Sequence, residues 1–136
     1  MDFIKSIVIA TSGLRAQAGR MRVISENIAN ADSTAQAPGA DPFRRKIPSF
    51  TSQLDRDLDA RVVALGPVRT DPSDFILKHR PGHPAADANG NVKYPNVYPL
   101  IEMTDLREAQ RSYEANVNVI GATRRMIQRT LDILKA

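Results

Sequence analysis

All nine prolines of this 136-residue chain fall between Pro38 and Pro99, so its first 37 and last 37 residues lack the residue that most firmly breaks a helix. Within the first stretch Ile7, Leu14, Met21 and Ile28 recur every seven residues, with Ile4 and Ala18 three positions ahead of two of them. Within the last, Leu106, Tyr113, Ile120, Ile127 and Leu134 do the same. A seven-residue spacing lines apolar side chains along one seam of a helix. The pattern predicts a mainly α fold, with long N- and C-terminal helices packed as a coiled-coil pair around a small β-rich, proline-rich middle module. The divisions fall at 1–31 for the first helix, 32–104 for the loop and module, and 105–136 for the second helix. That last helix should run about 30 residues, or about 45 Å. Thr104 or Asp105 can cap its start, and the acidic residues Asp105, Glu108 and Glu114 lie early while Arg124, Arg125, Arg129 and Lys135 lie late, as the helix dipole favours.

The two seams are half polar. Thr11 and Ser25 interrupt the first, and Ala109, Asn116, Thr123 and Thr130 alternate with the second. Each helix also carries a second apolar flank: Phe3, Ala10 and Ile24 on one, Val119, Met126 and Ile133 on the other. One partner helix cannot cover that much apolar surface, so packing against neighbouring copies is expected. Gly13 and Gly19 each cost the first helix about 1 kcal/mol relative to Ala, which is tolerable where another backbone must approach closely.

The middle reads as short strands at Ile47–Leu54, Arg61–Leu65, Asp74–Lys78 and Tyr98–Glu102, separated by Gly66-Pro67, Asp71-Pro72, Pro81-Gly82 and Asn89-Gly90. Asn89-Gly90, between Ala88 and Val92, is the strongest hairpin signal.

Several chemistries are excluded or disfavoured. There is no cysteine, so disulfides and thiolate chemistry are absent. No uninterrupted apolar run, Ile7 to Ala10 included, exceeds four residues, far short of the roughly 20 of a membrane span, so no membrane insertion is expected. Ala16-Gln17-Ala18 has the form of a signal cleavage site, but Asp2 offsets Lys5, Thr11 to Gly13 dilute the apolar segment and Arg15 intrudes, so no cleavage is expected. His79 and His83 have i, i+4 spacing, yet Pro81, Gly82 and Pro84 forbid the helix that would make it a metal pair. Asp87, Asn89 and Asn91 fit a turn better than a calcium loop, whose glycine and terminal glutamate are misplaced. No nucleophile elbow, phosphate loop or dinucleotide fingerprint occurs, so neither a catalytic residue nor a metal or other cofactor is expected.

The remaining polar candidates concern assembly. Lys and Arg exceed Asp and Glu by 19 to 15, but the +4 excess is divided between the two ends. Arg124, Arg125 and Arg129 lack interleaved aromatics, so dipole complementation and intersubunit salt bridges fit them better than nucleic-acid contact. Asn27 and Asn30 close the first helix, either as ordinary C-terminal caps or as intersubunit contacts that fix register. Asn116 invites the same two readings.

Ser12-Gly13-Leu14-Arg15-Ala16-Gln17 followed by Ile28-Ala29-Asn30-Ala31-Asp32-Ser33-Thr34 resembles the N-terminal signature shared by flagellar rod, hook and related axial proteins. Further along, Pro42-Phe43-Arg44-Arg45-Lys46, Pro81-Gly82-His83-Pro84-Ala85-Ala86-Asp87-Ala88-Asn89-Gly90, Tyr94-Pro95-Asn96-Val97, Glu102-Met103 and Arg111-Ser112-Tyr113-Glu114-Ala115-Asn116 resemble the proximal-rod members of the flagellar basal-body rod protein family. The resemblance implies a non-enzymatic subunit of the rod that transmits torque from the membrane ring toward hook and filament. It also implies export through the flagellar type III apparatus without signal cleavage, and assembly in the periplasm through the terminal helices. Implied partners are copies of itself, other proximal-rod proteins, the distal-rod protein and the rod-to-membrane-ring adaptor. The rival reading is a basic coiled-coil nucleic-acid-binding protein.

Overall fold

A computed structural model describes residues 2–135; Met1 and Ala136, the outermost positions of the expected divisions, lie outside the described residues. The elements are α1 (Phe3–Ala29), β1 (Lys46–Ile47), β2 (Phe50–Asp55), β3 (Ala60–Leu65), β4 (Arg69–Thr70), β5 (Ile76–His79), β6 (Asn91–Tyr94) and α2 (Pro99–Lys135). The chain is thus mainly helical, with three small antiparallel strand pairs between its two helices. None of the described helices is long and apolar enough to cross a membrane. The chain divides into two compact units.

The first unit takes the chain up to Met21, Pro48–Pro67, and the chain from Arg107 onward. β2 and β3 pair from Phe50 opposite Leu65 to Asp55 opposite Ala60. The Asp55 carboxylate closes their turn by accepting from the Asp57 and Leu58 amides, and Asp59 takes φ 45°, a left-handed conformation that Asp tolerates better than most residues. Two contacts seat this hairpin on α1. The Val63 amide donates to Ser12 Oγ at 3.2 Å, and Leu65 lies where a side chain on Gly19 would stand, its Cδ2 2.8 Å from the Cβ position.

The second unit comprises Arg22–Ile47 and Val68–Leu106. Its apolar centre is Ala85, Val92 and Tyr94, with Ile76 and Ala86 packed against them. β5 and β6 pair from Ile76 opposite Tyr94 to His79 opposite Asn91, and the Lys78 ammonium sits 4.2 Å over the Tyr94 ring. The expected two-residue hairpin at Asn89-Gly90 is replaced by an eleven-residue connection, Arg80 to Gly90. Gly90 closes it at φ 77°, a left-handed position where a Cβ would also crowd His79 and Pro81 at 3.0 Å.

The largest correction concerns Tyr98–Glu102, where Pro99 to Glu102 open a helix and no strand forms. The Tyr98 carbonyl accepts from the Ile101 and Glu102 amides, and Pro99 occupies the first helical position, where its missing N–H leaves nothing unpaired. Consequently α2 starts ahead of the expected Thr104 or Asp105 cap and runs 37 residues, about 55 Å. Its short apolar opening has strand-like composition, and the helix type is decided by the start signal instead.

Candidate assembly site

The buried line of α2 does not coincide with its large apolar residues. Glu102, Ala109 and Thr123, spaced seven or fourteen apart, are 1, 0 and 2% exposed, with half-buried Asn116 on the same line. Leu106, Tyr113, Ile120 and Ile127 flank this line half-buried, and Leu134 is 77% exposed. On α1 the buried residues are Ala10, Ala16, Val23, Ile24 and Asn27, while Ile7, Leu14, Met21 and Ile28 are half-buried. Small side chains mark a close approach: a Cβ on Gly13 would fall 2.9 Å from the Asn116 amide nitrogen.

Three polar residues along these faces are bonded within their own helix. Thr11 Oγ1 donates to the Ile7 carbonyl, Thr123 Oγ1 to Val119 and Asn116 Nδ2 to Ser112, at 2.7, 2.9 and 2.9 Å. A hydroxyl or amide bonded to the carbonyl four residues back can be buried at little cost.

The second unit contains a polar clamp that sequence reasoning missed. Asn27, fully buried at the end of α1, donates from Nδ2 to the Lys46 carbonyl (2.8 Å) and Glu102 Oε2 (3.0 Å), and accepts from the Lys46 amide (2.9 Å). Its side-chain amide thereby pairs with β1 as a neighbouring strand would. Glu102 also accepts from Arg45 Nε at 2.6 Å. Arg45 Nη1 reaches Asp71 at 3.4 Å, and the Arg45 amide donates to Asn96 Oδ1 at 2.8 Å. Asn96, 3% exposed, in turn donates to Ser73 Oγ at 2.8 Å. Burial pulls the Arg45 guanidinium toward neutrality, but the bonds and charges of Glu102 and Asp71 outweigh it and hold its pKa above the ordinary value. The only available signal for Glu102 was a lone acid within Leu100-Ile101-Glu102-Met103, in heptad phase with Ala109, Asn116 and Thr123.

Asn30 has a local role: its Nδ2 donates to the Glu26 carbonyl at 2.8 Å, capping α1. Its replacement by Ala should cost about 1 kcal/mol in chemical denaturation. Arg124, Arg125 and Arg129 are exposed, and none has an ion-pair partner among the described residues.

Asp71 gives the clamp a pH dependence. Hydrogen bonds from the Ser73 backbone and hydroxyl, then Arg45, hold its carboxyl below the ordinary range against a smaller opposing effect of burial. A depressed carboxylate contributes stability above its unfolded pKa and loses it as pH falls through the folded one. The stability gap between the wild type and Asp71→Asn should therefore be constant at neutral pH and shrink below about pH 4, read by denaturant midpoints at successive pH values.

A family model described as "Flagella basal body rod protein" matches residues 7–36, and one described as "Flagellar basal body rod FlgEFG protein C-terminal" matches residues 88–133. The flagellar basal-body rod protein FlgC of Agrobacterium fabrum is 53% identical, with 94% of this chain and 92% of the relative covered. Those of Bacillus subtilis and Salmonella typhimurium are 39% and 38% identical, covering 99% and 98% of this chain and 100% and 98% of the relatives. The two matched segments coincide with most of α1 and α2, the relatives cover nearly the whole chain, and the chain belongs to the FlgC family of flagellar basal-body rod proteins.

Proposed function

We propose that this chain is a structural subunit of the proximal rod of the flagellar basal body, polymerising through its terminal helices into the tubular shaft that carries torque toward hook and filament. Its role is mechanical rather than enzymatic. The observation that carries the reading is the apolar surface left on α2, where Val119, Met126, Leu131, Ile133 and Leu134 are between 41 and 77% exposed. Side chains of that size repay about 1.5 to 3 kcal/mol each when fully covered, so their exposure favours association. Ile7, Leu14, Met21 and Ile28 on α1, with Leu106, Tyr113, Ile120, Ile127 and Leu134 on α2, form the assembly seam in this reading. Coiled-coil pairing of the two helices belongs to the same proposal, as do the divisions at 1–31, 32–104 and 105–136. Arg124, Arg125 and Arg129 face neighbouring subunits, whereas the bonds of Asn27, Asn30 and Asn116 described above support roles inside the subunit.

The rod would stand in the periplasm, reached through the flagellar type III export apparatus without a cleaved signal. Its neighbours would be other copies, the other proximal-rod proteins, the distal-rod protein and the membrane-ring adaptor. Basal bodies purified from cells whose only copy of the chain carries an epitope tag should contain the tag in the rod, and deletion of the chain should abolish rods. Complete rods in the deletion strain would overturn the proposal.

A further inference from the structure

On α2, Val119, Met126 and Ile133 stand seven residues apart and are 47, 41 and 75% exposed, off the buried line of Ala109 and Thr123. Successive positions of a heptad drift by only about 20°, so these three form one stripe. Glu108 lies eleven residues before Val119, close to three whole turns, and continues the same line. Arg129 borders its distal half one turn before Ile133, with Arg125 one turn earlier. Near the start of α2, Tyr98 and Ile101 are 58 and 56% exposed. One helix thus carries an exposed acid beside apolar residues in its first part, and exposed bases beside apolar residues in its last. Among the described residues, neither Glu108 nor Arg129 has an ion-pair partner.

We infer that this stripe seats the α2 helix of a second copy of the chain, parallel and displaced by about three heptads, roughly 30 Å. The neighbour's Glu108 then meets Arg129, its Tyr98 draws level with Val119, and its Ile101 lies one turn short of Met126. The inference rests on the rod reading and deepens it by naming the partner of this face. Charge complementarity selects the occupant, because the chain itself supplies both halves. The parallel displaced arrangement follows from closure. Two antiparallel copies would also bring Glu108 near Arg129, but that two-fold contact stops at a dimer, whereas a displaced one leaves each copy with an open half for the next.

The chain has no cysteine, so introduced cysteines report cleanly. Differently tagged full-length copies carrying Glu108→Cys and Arg129→Cys, expressed together in flagellated cells and mildly oxidised, should form a mixed crosslink in isolated rods. Neither variant should crosslink to itself. Glu108→Arg should lower incorporation into rods at least tenfold, and combining it with Arg129→Glu should restore it. Three results would overturn the inference: Val119→Cys crosslinking to itself, which marks an antiparallel pair; crosslinks only to a different protein; or normal incorporation of Glu108→Arg. In each of those cases intact rods containing the chain leave the rod reading standing, whereas loss of the wild-type chain from basal bodies removes both.

Discussion

Replacing Asn27 by Ala is expected to lower the free energy of unfolding by about 3 kcal/mol, several times the effect of Asn30→Ala. The two residues are one turn apart and chemically identical, so the difference isolates what each side chain bonds. Asn30 satisfies one carbonyl at the end of its own helix, and water can replace it. Asn27 has no exposed surface and serves three groups: both backbone polar atoms of Lys46 and one oxygen of Glu102. Truncation leaves those groups unpaired around a cavity, at about 1 to 3 kcal/mol for each that water cannot reach. Asn27→Asp provides a control that keeps the shape. It removes the donor to Glu102 and sets a second carboxylate about 3 Å from the first. That variant should be strongly destabilised at neutral pH and recover part of the loss, relative to wild type, as acid protonates one of the pair. Equal midpoints for Asn27→Ala and Asn30→Ala in denaturant titrations would dismiss the clamp.

The heptads were enough to find both helices, because apolar repeats over four and five turns of the pattern have no competing explanation. Within the subunit, the most buried residues of α2 are not its large aliphatic ones. Large aliphatic residues announce a seam, but two backbones approach closely only where side chains are small, and the buried line runs through Ala109 and Thr123 instead. Thr11, Asn116 and Thr123 looked like dilutions of the seam because their capacity to bond their own helix four residues back is invisible in a hydrophobic pattern. Tyr98–Glu102 failed for another reason: a short segment with apolar Tyr98, Leu100 and Ile101 fits strand and helix equally well, and Pro99 at the first helical position settles it.

The clamp was least legible, since Asn27, Arg45, Asn96 and Glu102 are scattered over most of the chain and have individually ordinary local contexts. Only the return of the chain brings them together, and the return is made by tertiary packing rather than by any local rule. Even so, the charge arithmetic left a trace. A lone carboxylate in an apolar helix start needs a cation or amide nearby, and Arg44-Arg45-Lys46 was the densest basic run outside the terminal segments.

Gly13→Val should destabilise the first unit by about 2 to 3 kcal/mol, although removing a helical glycine ordinarily stabilises by up to about 1 kcal/mol. The sign depends on Asn116. A Cβ at position 13 would stand 2.9 Å from its amide nitrogen, 3.0 Å from its oxygen and 3.1 Å from its Cγ, so the whole amide group must move. That amide is not a loose end, because its nitrogen donates to the Ser112 carbonyl. Rotating it away breaks the bond and pushes a polar group toward a half-buried face, and the branched methyls of Val extend the clash beyond what a rotamer change relieves. The double variant Gly13→Val with Asn116→Ala opens the space and removes the group that must be satisfied. It should regain at least 1 kcal/mol over the sum of the single effects, the signature of direct contact in a double-mutant cycle. Additive effects of the two substitutions would mean that position 13 and position 116 do not touch, and the close approach at this point of α1 would have to be abandoned.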